Sequence, residues 1–380
     1  MTDQSINILA DPEGTLQTAS ILGAMSVHAA SGPIVSDDAV ELTLPDHRGA
    51  LRAVALLHEL RAPRRVEFTR ERPRDPWRLT FERPEADRIE YLIQVTRRAG
   101  TTEILPDPGN PLRAAGPFGE KSVIEFPGYE QPAWVRDEDT AQGELRALPL
   151  QSIRLHTTFH ALLWSAADTD PARPLPLLVV HDGPEYADYS SLLRLLDHLV
   201  DFGEIPELRA VLLPPPPDRN EAYSASALYA HALAAELMPA IREQAPTSAA
   251  PVLMGASLGA LAALHAHFRN PGLAGGLFLQ SGSFFRRRFD SHEQHFSRFA
   301  RITRFIGHVH GRTGFVPPVP TKVTCGRAEE NHENNAALSA ALVRRGFDVR
   351  NAWNRDAHNW ISWRDVLHPH LADLLLRVWT

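Results

Sequence analysis

The chain has 380 residues, 43% hydrophobic and 22% charged, with a net charge of -7 and a sequence pI near 6.2. This is a globular composition long enough for two or three domains, and its acidic balance gives nucleic acid nothing to bind. One cysteine, Cys325, excludes an internal disulfide and fits a reducing compartment.

Residues 1–35 are small, polar and weakly periodic, and read as an N-terminal arm. They lack the basic start and unbroken apolar core of a signal peptide. No run in the chain approaches the roughly 18 apolar residues that span a bilayer. A cytoplasmic protein without a membrane partner is expected.

From residue 36 to 135 the pattern is β. AVELTL (39–44) alternates, and LRAVALLHEL (51–60), RRVEFTRER (64–72), WRLTFER (77–83) and RIEYLIQVTR (88–97) follow with turn residues between them. Short strands at this spacing predict a small all-β, immunoglobulin-like sandwich. The Pro- and Gly-rich stretch 105–135 reads as connecting loop, and 136–150 as a linker.

Beyond 150 strand and helix alternate. The strand-like stretches at 175–183, 208–217, 251–255, 273–284, 321–326 and 348–353 are separated by helical spacing such as SLLRLLDHLVDFG (191–203) and SALYAHALAAELMPAIREQ (226–244). That alternation predicts a mostly parallel, doubly wound sheet with helices on both faces over 151–380.

The segment PVLMGASLGALAALHAHF (251–268) carries Gly255-Ala256-Ser257-Leu258-Gly259 between a strand and good helix formers. A nucleophile elbow needs small residues two before and two after its serine, because the turn is strained and crowded. A free hydroxyl is a poor nucleophile and needs a base backed by a carboxylate. VTCGRAEEN (323–331) ends a strand with Glu329 and Glu330, and NRDAHNWISWR (354–364) carries His358 after the last strand. The order Ser…acid…His is that of α/β-hydrolases. The spacing leaves the acid open between Glu329 and Glu330.

VLMGASLGALAALHAHFRNPGLAGGLFLQSGSF, VHDGPEY, CGRAEENHENN and DAHNWISWR together resemble the "Putative esterase" family of α/β-hydrolases, in its enterochelin (ferric enterobactin) esterase branch. DPGNP and KSVIEFPGYEQPAWV are similar to the immunoglobulin-like domain that precedes the hydrolase domain there. The resemblance implies a serine esterase acting on an enterobactin-type catecholate siderophore. It implies Ser257 as nucleophile, His358 as base and Glu329 as acid, with Glu330 as alternative. One oxyanion donor would be the Leu258 amide. The residue after the Asp-Gly pair is Pro184, which has no N–H, so Gly183 is expected as the second donor.

An anionic ferric siderophore as substrate suits Arg286 and Arg287, which follow the QSGS strand end, and Arg219 after PPPPD. Trp360, Phe284 and Phe285 offer rings for aryl stacking, and Tyr186 and Tyr223 lie near the motif loops. His265/His267 fall on different faces of a helix, and His308/His310 lack a Cys or carboxylate partner at ligand spacing. No metal and no cofactor are expected, and the sequence is silent on oligomeric state. The other readings are a feruloyl- or carbohydrate-type esterase, an acyltransferase, or a non-catalytic glycan- or partner-binding protein.

Overall fold

The two sequence patterns build two parts of the molecule. The computed structural model describes residues 32–61, 63–137, 140–311 and 314–380, so nearly all of the expected N-terminal arm lies outside the described residues. The first part is all β: β1 (Ile34–Val35), β2 (Ala39–Leu44), β3 (Leu51–His58), β4 (Arg65–Glu67), β5 (Trp77–Glu82), β6 (Arg88–Arg97), β7 (Thr102–Leu105), β8 (Arg113–Ala114) and β9 (Lys121–Glu125). Strands β1-β2-β5 form one antiparallel sheet and β4-β3-β6-β9-β8 the other, with β7 on β6. Alternation sends Val40 and Leu42 inward, where they share a core with Val54, Leu56, Ile89, Tyr91 and Ile93 of the other sheet.

The second part holds an eight-stranded sheet of order β10-β11-β13-β12-β14-β15-β16-β17. Its strands are β10 (Glu144–Ser152), β11 (Thr157–Ser165), β12 (Leu177–His181), β13 (Arg209–Leu213), β14 (Val252–Ala256), β15 (Gly276–Gln280), β16 (Thr321–Gly326) and β17 (Val349–Asn354). β10 and β11 run antiparallel; from β13 to β17 all pairings are parallel. Much of 136–150, expected as linker, is therefore sheet. β10 buries Leu148 and Leu150 on alternate positions, and as an edge strand it tolerates Pro149.

The helices are α1 (Gly183–Ser190), α2 (Leu192–Asp201), α3 (Arg219–Tyr223), α4 (Ala227–Ala232), α5 (Met238–Gln244), α6 (Leu258–Arg269), α7 (Phe299–Gly311), α8 (His332–Arg344), α9 (Trp360–Asp365) and α10 (His370–Trp379). Each strand from β12 to β16 is buried along its whole length because both of its faces are covered. Leu177, Val179, Leu253 and Leu279 pack with α4 to α8, whereas Leu178, Val180, Met254 and Phe278 pack with α2, α9 and α10. None of the helices among the described residues is long and apolar enough to cross a membrane.

The chain leaves β12 to one side for β13 and returns past it to β14. Such a reversal opens a crevice at the C-terminal ends of the two strands. His181-Asp182-Gly183 lies at one lip and Ser257 at the other.

Acid stability follows from the buried histidines. His265, edge-on to Phe305 at 4.7 Å, is pushed from the usual 6.5 down to about 3 by burial and by Arg269 and Arg301. His58 and His181 are each lowered to about 4, chiefly by burial. The unfolded chain takes up these protons near 6.5 and the folded chain does not, so their stabilising share is complete above that pH and is lost as pH falls below it. His265→Leu should flatten the decline of Tm between about pH 7 and about pH 4.5; an unchanged slope in thermal denaturation would refute this.

Candidate active site

Ser257 sits between β14 and α6 with φ 55° and ψ -122°, outside the regions L-residues ordinarily occupy. The turn closes because of its glycines: a Cβ on Gly255 would lie 2.5 Å from the Gly259 carbonyl carbon, and one on Gly259 would lie 3.0 Å from Asp182 Oδ2. The Ser257 amide donates to Gln280 O at 2.9 Å, and its hydroxyl is 3.2 Å from Ser283 Oγ.

Glu329 and His358 are brought together. Glu329 is fully buried, and its Oε2 lies 2.6 Å from His358 Nδ1. Its Oε1 accepts from Ser281 Oγ (2.6 Å), the Gly326 amide (2.7 Å) and Cys325 Sγ (3.1 Å). Burial works to raise this carboxyl, but the facing His358 and the Ser281 and Cys325 donors outweigh it and hold it below its ordinary value. Trp363 donates from Nε1 to Ser281 Oγ at 2.9 Å and meets the His358 ring edge-on at 5.0 Å.

His358 Nε2 is buried without a hydrogen-bond partner among the described residues. The structure thus joins His358 to Glu329, while the Ser257 hydroxyl is engaged with Ser283. Glu330, one residue on, faces away. Its carboxylate takes Arg64 Nε at 2.9 Å and His292 Nε2 at 2.7 Å, and these partners lower it to about 2 against the effect of burial.

The two expected oxyanion donors open helices: Gly183 begins α1 and Leu258 begins α6, so their amides are among those a helix leaves without an internal acceptor. Gly183 admits no side chain, since a Cβ would come within 2.3 Å of Leu212 Cα. Asp182 before it is left-handed (φ 54°), and its carboxylate takes both Nε (2.9 Å) and Nη2 (2.7 Å) of Arg219.

Several expected ligand contacts change role. Arg219, expected to meet substrate, is committed to Asp182 and lies over Tyr223. Tyr186 and Tyr223 are fully buried; the Tyr186 hydroxyl donates to Gln280 Oε1 at 2.7 Å. Phe284 and Phe285 belong to the core. An aromatic or basic side chain near a motif loop does not reveal which face it serves. Trp360 remains partly exposed, edge-on to Tyr186 and Trp363. Arg286 is half-buried with its guanidinium 5.5 Å from the Phe289 ring centroid, and Arg287 is exposed.

Ser281 and Ser283 received no role from the sequence, although both lie in the QSGS stretch whose likeness marked the family. His265 packs on Phe305, and His267 Nε2 is 2.9 Å from Pro317 O. His292, Glu293 and Glu330 bring ligand atoms within 4.8 Å of one another. Arg64 bonds both carboxylates and itself supplies the cation there.

The sequence model of the "Putative esterase" family matches residues 158–374. The chain belongs to this family. A curated relative, the iron(III) enterobactin esterase of Escherichia coli O6:H1 (strain CFT073), is 27% identical over 225 residues, which are 56% of this chain and 54% of the relative. The chain thus spans about half the length of the curated relative it matches.

The fold is shared with solved structures. The enterobactin esterase of Shigella flexneri, determined in the presence of enterobactin, aligns with TM-score 0.69 at 21% identity over 91% of this chain and 96% of its own. The ferric enterobactin esterase of Salmonella typhimurium aligns with TM-score 0.71 at 20% identity over 92% and 96%. A ferulic acid esterase aligns with 62% of this chain and 98% of its own, with TM-score 0.52 and 17% identity.

The crowding at the elbow gives a test. Gly255→Ala should destabilise the chain by about 1–3 kcal/mol, the usual cost of overpacking, because the new methyl meets backbone. Gly307→Ala on α7, where a Cβ meets nothing within 4 Å, should be neutral or stabilising. Equal denaturation midpoints for the two variants would contradict the elbow geometry.

Proposed function

We propose that this esterase cleaves siderophore esters of the enterobactin catecholate type, with Ser257, His358 and Glu329 as its catalytic triad. The observation that carries the reading is the 2.6 Å contact from Glu329 to His358 Nδ1, with His358 Nε2 buried and, among the described residues, without a hydrogen-bond partner. In this reading residues 36–135 are an immunoglobulin-like domain ahead of a hydrolase domain over 151–380, with β10 an edge strand ahead of it. The siderophore substrate is supported by the curated relative, and by fold similarity that covers 92% of the chain in a ferric enterobactin esterase against 62% in a ferulic acid esterase.

When substrate enters, the Ser257 hydroxyl leaves Ser283 and gives its proton to His358 Nε2 as its oxygen attacks the ester carbonyl. Glu329 holds the Nδ1 proton and stabilises the imidazolium that forms. The amides of Leu258 and Gly183 meet the tetrahedral oxyanion, where preorganised donors act most strongly. Collapse expels the alcohol, which takes the proton from Nε2. Water, deprotonated by the same nitrogen, then attacks the acyl-serine and releases the acid and the free hydroxyl. Arg286, Arg287 and Trp360 are assigned to the anionic, aryl-bearing substrate, by charge and by stacking.

The test pairs two substrates, p-nitrophenyl butyrate and enterobactin with and without iron, the latter followed by chromatography. Ser257→Ala and His358→Ala should abolish turnover of both. Glu329→Gln should lower kcat roughly 10^3- to 10^4-fold, the scale for losing a triad carboxylate. Glu330→Gln should stay within about fivefold of wild type, as expected for a partly solvated ion pair. Activity surviving Ser257→Ala would overturn the mechanism, and butyrate turnover without any loss of enterobactin would overturn the substrate.

A further inference from the structure

The β-rich sheets press against the two loops that carry Glu329 and His358. Ala328 from one loop and Ala357 from the other are buried in the core formed by Ile89, Tyr91 and Ile124. The Arg61 amide donates to Ala328 O at 2.8 Å, and its Nε to Glu329 O at 3.3 Å. The Asp87 amide donates to Arg355 O at 2.6 Å. Beside it Arg88, the first residue of β6, is 3% exposed and donates from Nη1 to Glu90 Oε1 (2.8 Å) and Asn359 Oδ1 (3.4 Å).

Asn359 is the hinge of this arrangement. Its Nδ2 donates to Asp356 Oδ1 at 3.0 Å, and its Oδ1 takes the Ser362 amide at 2.7 Å, capping α9. Asp356 Oδ1 also accepts the Ala357 amide at 2.6 Å. His358 therefore sits between two residues whose side chains bond each other, and one of these bonds Arg88. Asp356 is itself buried. Its burial pushes the carboxyl up to about 7, with Arg88 opposing that rise and Glu90 adding to it.

We propose that Arg88, from outside the hydrolase sheet, is a positioning residue that fixes the Asp356–Asn359 turn and so the aim of His358 between Glu329 and Ser257. The inference rests on the reading of His358 as the base. Its force comes from how little error the chemistry tolerates: a displacement of about 1 Å at a reacting group can cost on the order of 100-fold in rate. A guanidinium that served only to join the two parts would change how much protein folds, without changing the rate per folded molecule.

The experiment uses the full chain with Arg88→Met, Arg88→Lys and Arg88→Met/Glu90→Gln. The double variant removes the Arg88–Glu90 pair together, so that Glu90 is not left as a buried carboxylate without its partner. Readouts are kcat and KM for p-nitrophenyl butyrate, and the stoichiometry of Ser257 labelling by a fluorophosphonate. Arg88→Met and the double variant should lose about 10- to 100-fold in kcat with KM within about twofold and full labelling, and Arg88→Lys should recover part of that loss. A wild-type kcat per labelled serine in the double variant, with His358→Ala inactive, would overturn this proposal alone. A His358→Ala enzyme with wild-type kcat would overturn it together with the triad reading.

Discussion

The site depends on a carboxylate that water does not reach. A bare ionised carboxylate at the position of Glu329 would cost several kcal/mol in lost hydration, so the surroundings must meet both of its oxygens. They do so from separate parts of the fold: Ser281 after β15, Cys325 and Gly326 of β16, and His358 after β17. Satisfying Glu329 thus registers the ends of three neighbouring strands. Trp363 closes the circuit, orienting the Ser281 hydroxyl with its indole N–H while its ring abuts His358. Cys325 fits the same logic: burial and the adjacent Glu329 push its thiol well up, so it serves as a proton-bearing donor.

Backbone strain collects around the same edge. Asp182, Ser257 and Ser281 follow the adjacent strands β12, β14 and β15, and all three are non-glycine residues with positive φ. Each such conformation costs on the order of 1–3 kcal/mol and persists only where neighbours over-determine it. The neighbours here are specific. Arg219 grips Asp182 with two hydrogen bonds, Ser257 is fitted between Gly255 and Gly259, and Ser281 is tied to Thr324 O and Glu329. The strain keeps the serine and two helix-opening amides at one crevice, which a relaxed strand-to-helix connection would not do.

The sequence made much of this legible. Period-2 and continuous apolar runs marked the β-rich part and the buried parallel strands, and the glycines flanking Ser257 marked the elbow. The choice between Glu329 and Glu330 lay beyond spacing, because adjacent carboxyls diverge by the direction of one loop, and that direction is set by Arg64 some 260 positions earlier. Arg219 read as a free cation because its partner, Asp182, is distant in sequence. Residues 136–150 read as linker because the first half of β10 is exposed, and its alternation is confined to the few residues from Leu148 on. Asp356 and Asn359 lie inside DAHNWISWR and Arg88 opens RIEYLIQVTR, but neither stretch gave them a role, and only their burial and mutual hydrogen bonds single them out.

These observations bear on why an all-β unit accompanies the hydrolase sheet. Glu329 and His358 hang from the ends of β16 and β17, and β17 is an edge strand with much of its length half-exposed. Loops at a sheet edge are ordinarily solvated, and water there would weaken the Glu329–His358 interaction and compete for Nε2. The cover is supplied from outside, by the core that takes in Ala328 and Ala357 and by the hydrogen bonds of Arg61, Asp87 and Arg88. The dryness of the acid–histidine pair is therefore a joint property of both parts of the chain, and the β-rich part is a wall of the candidate active site.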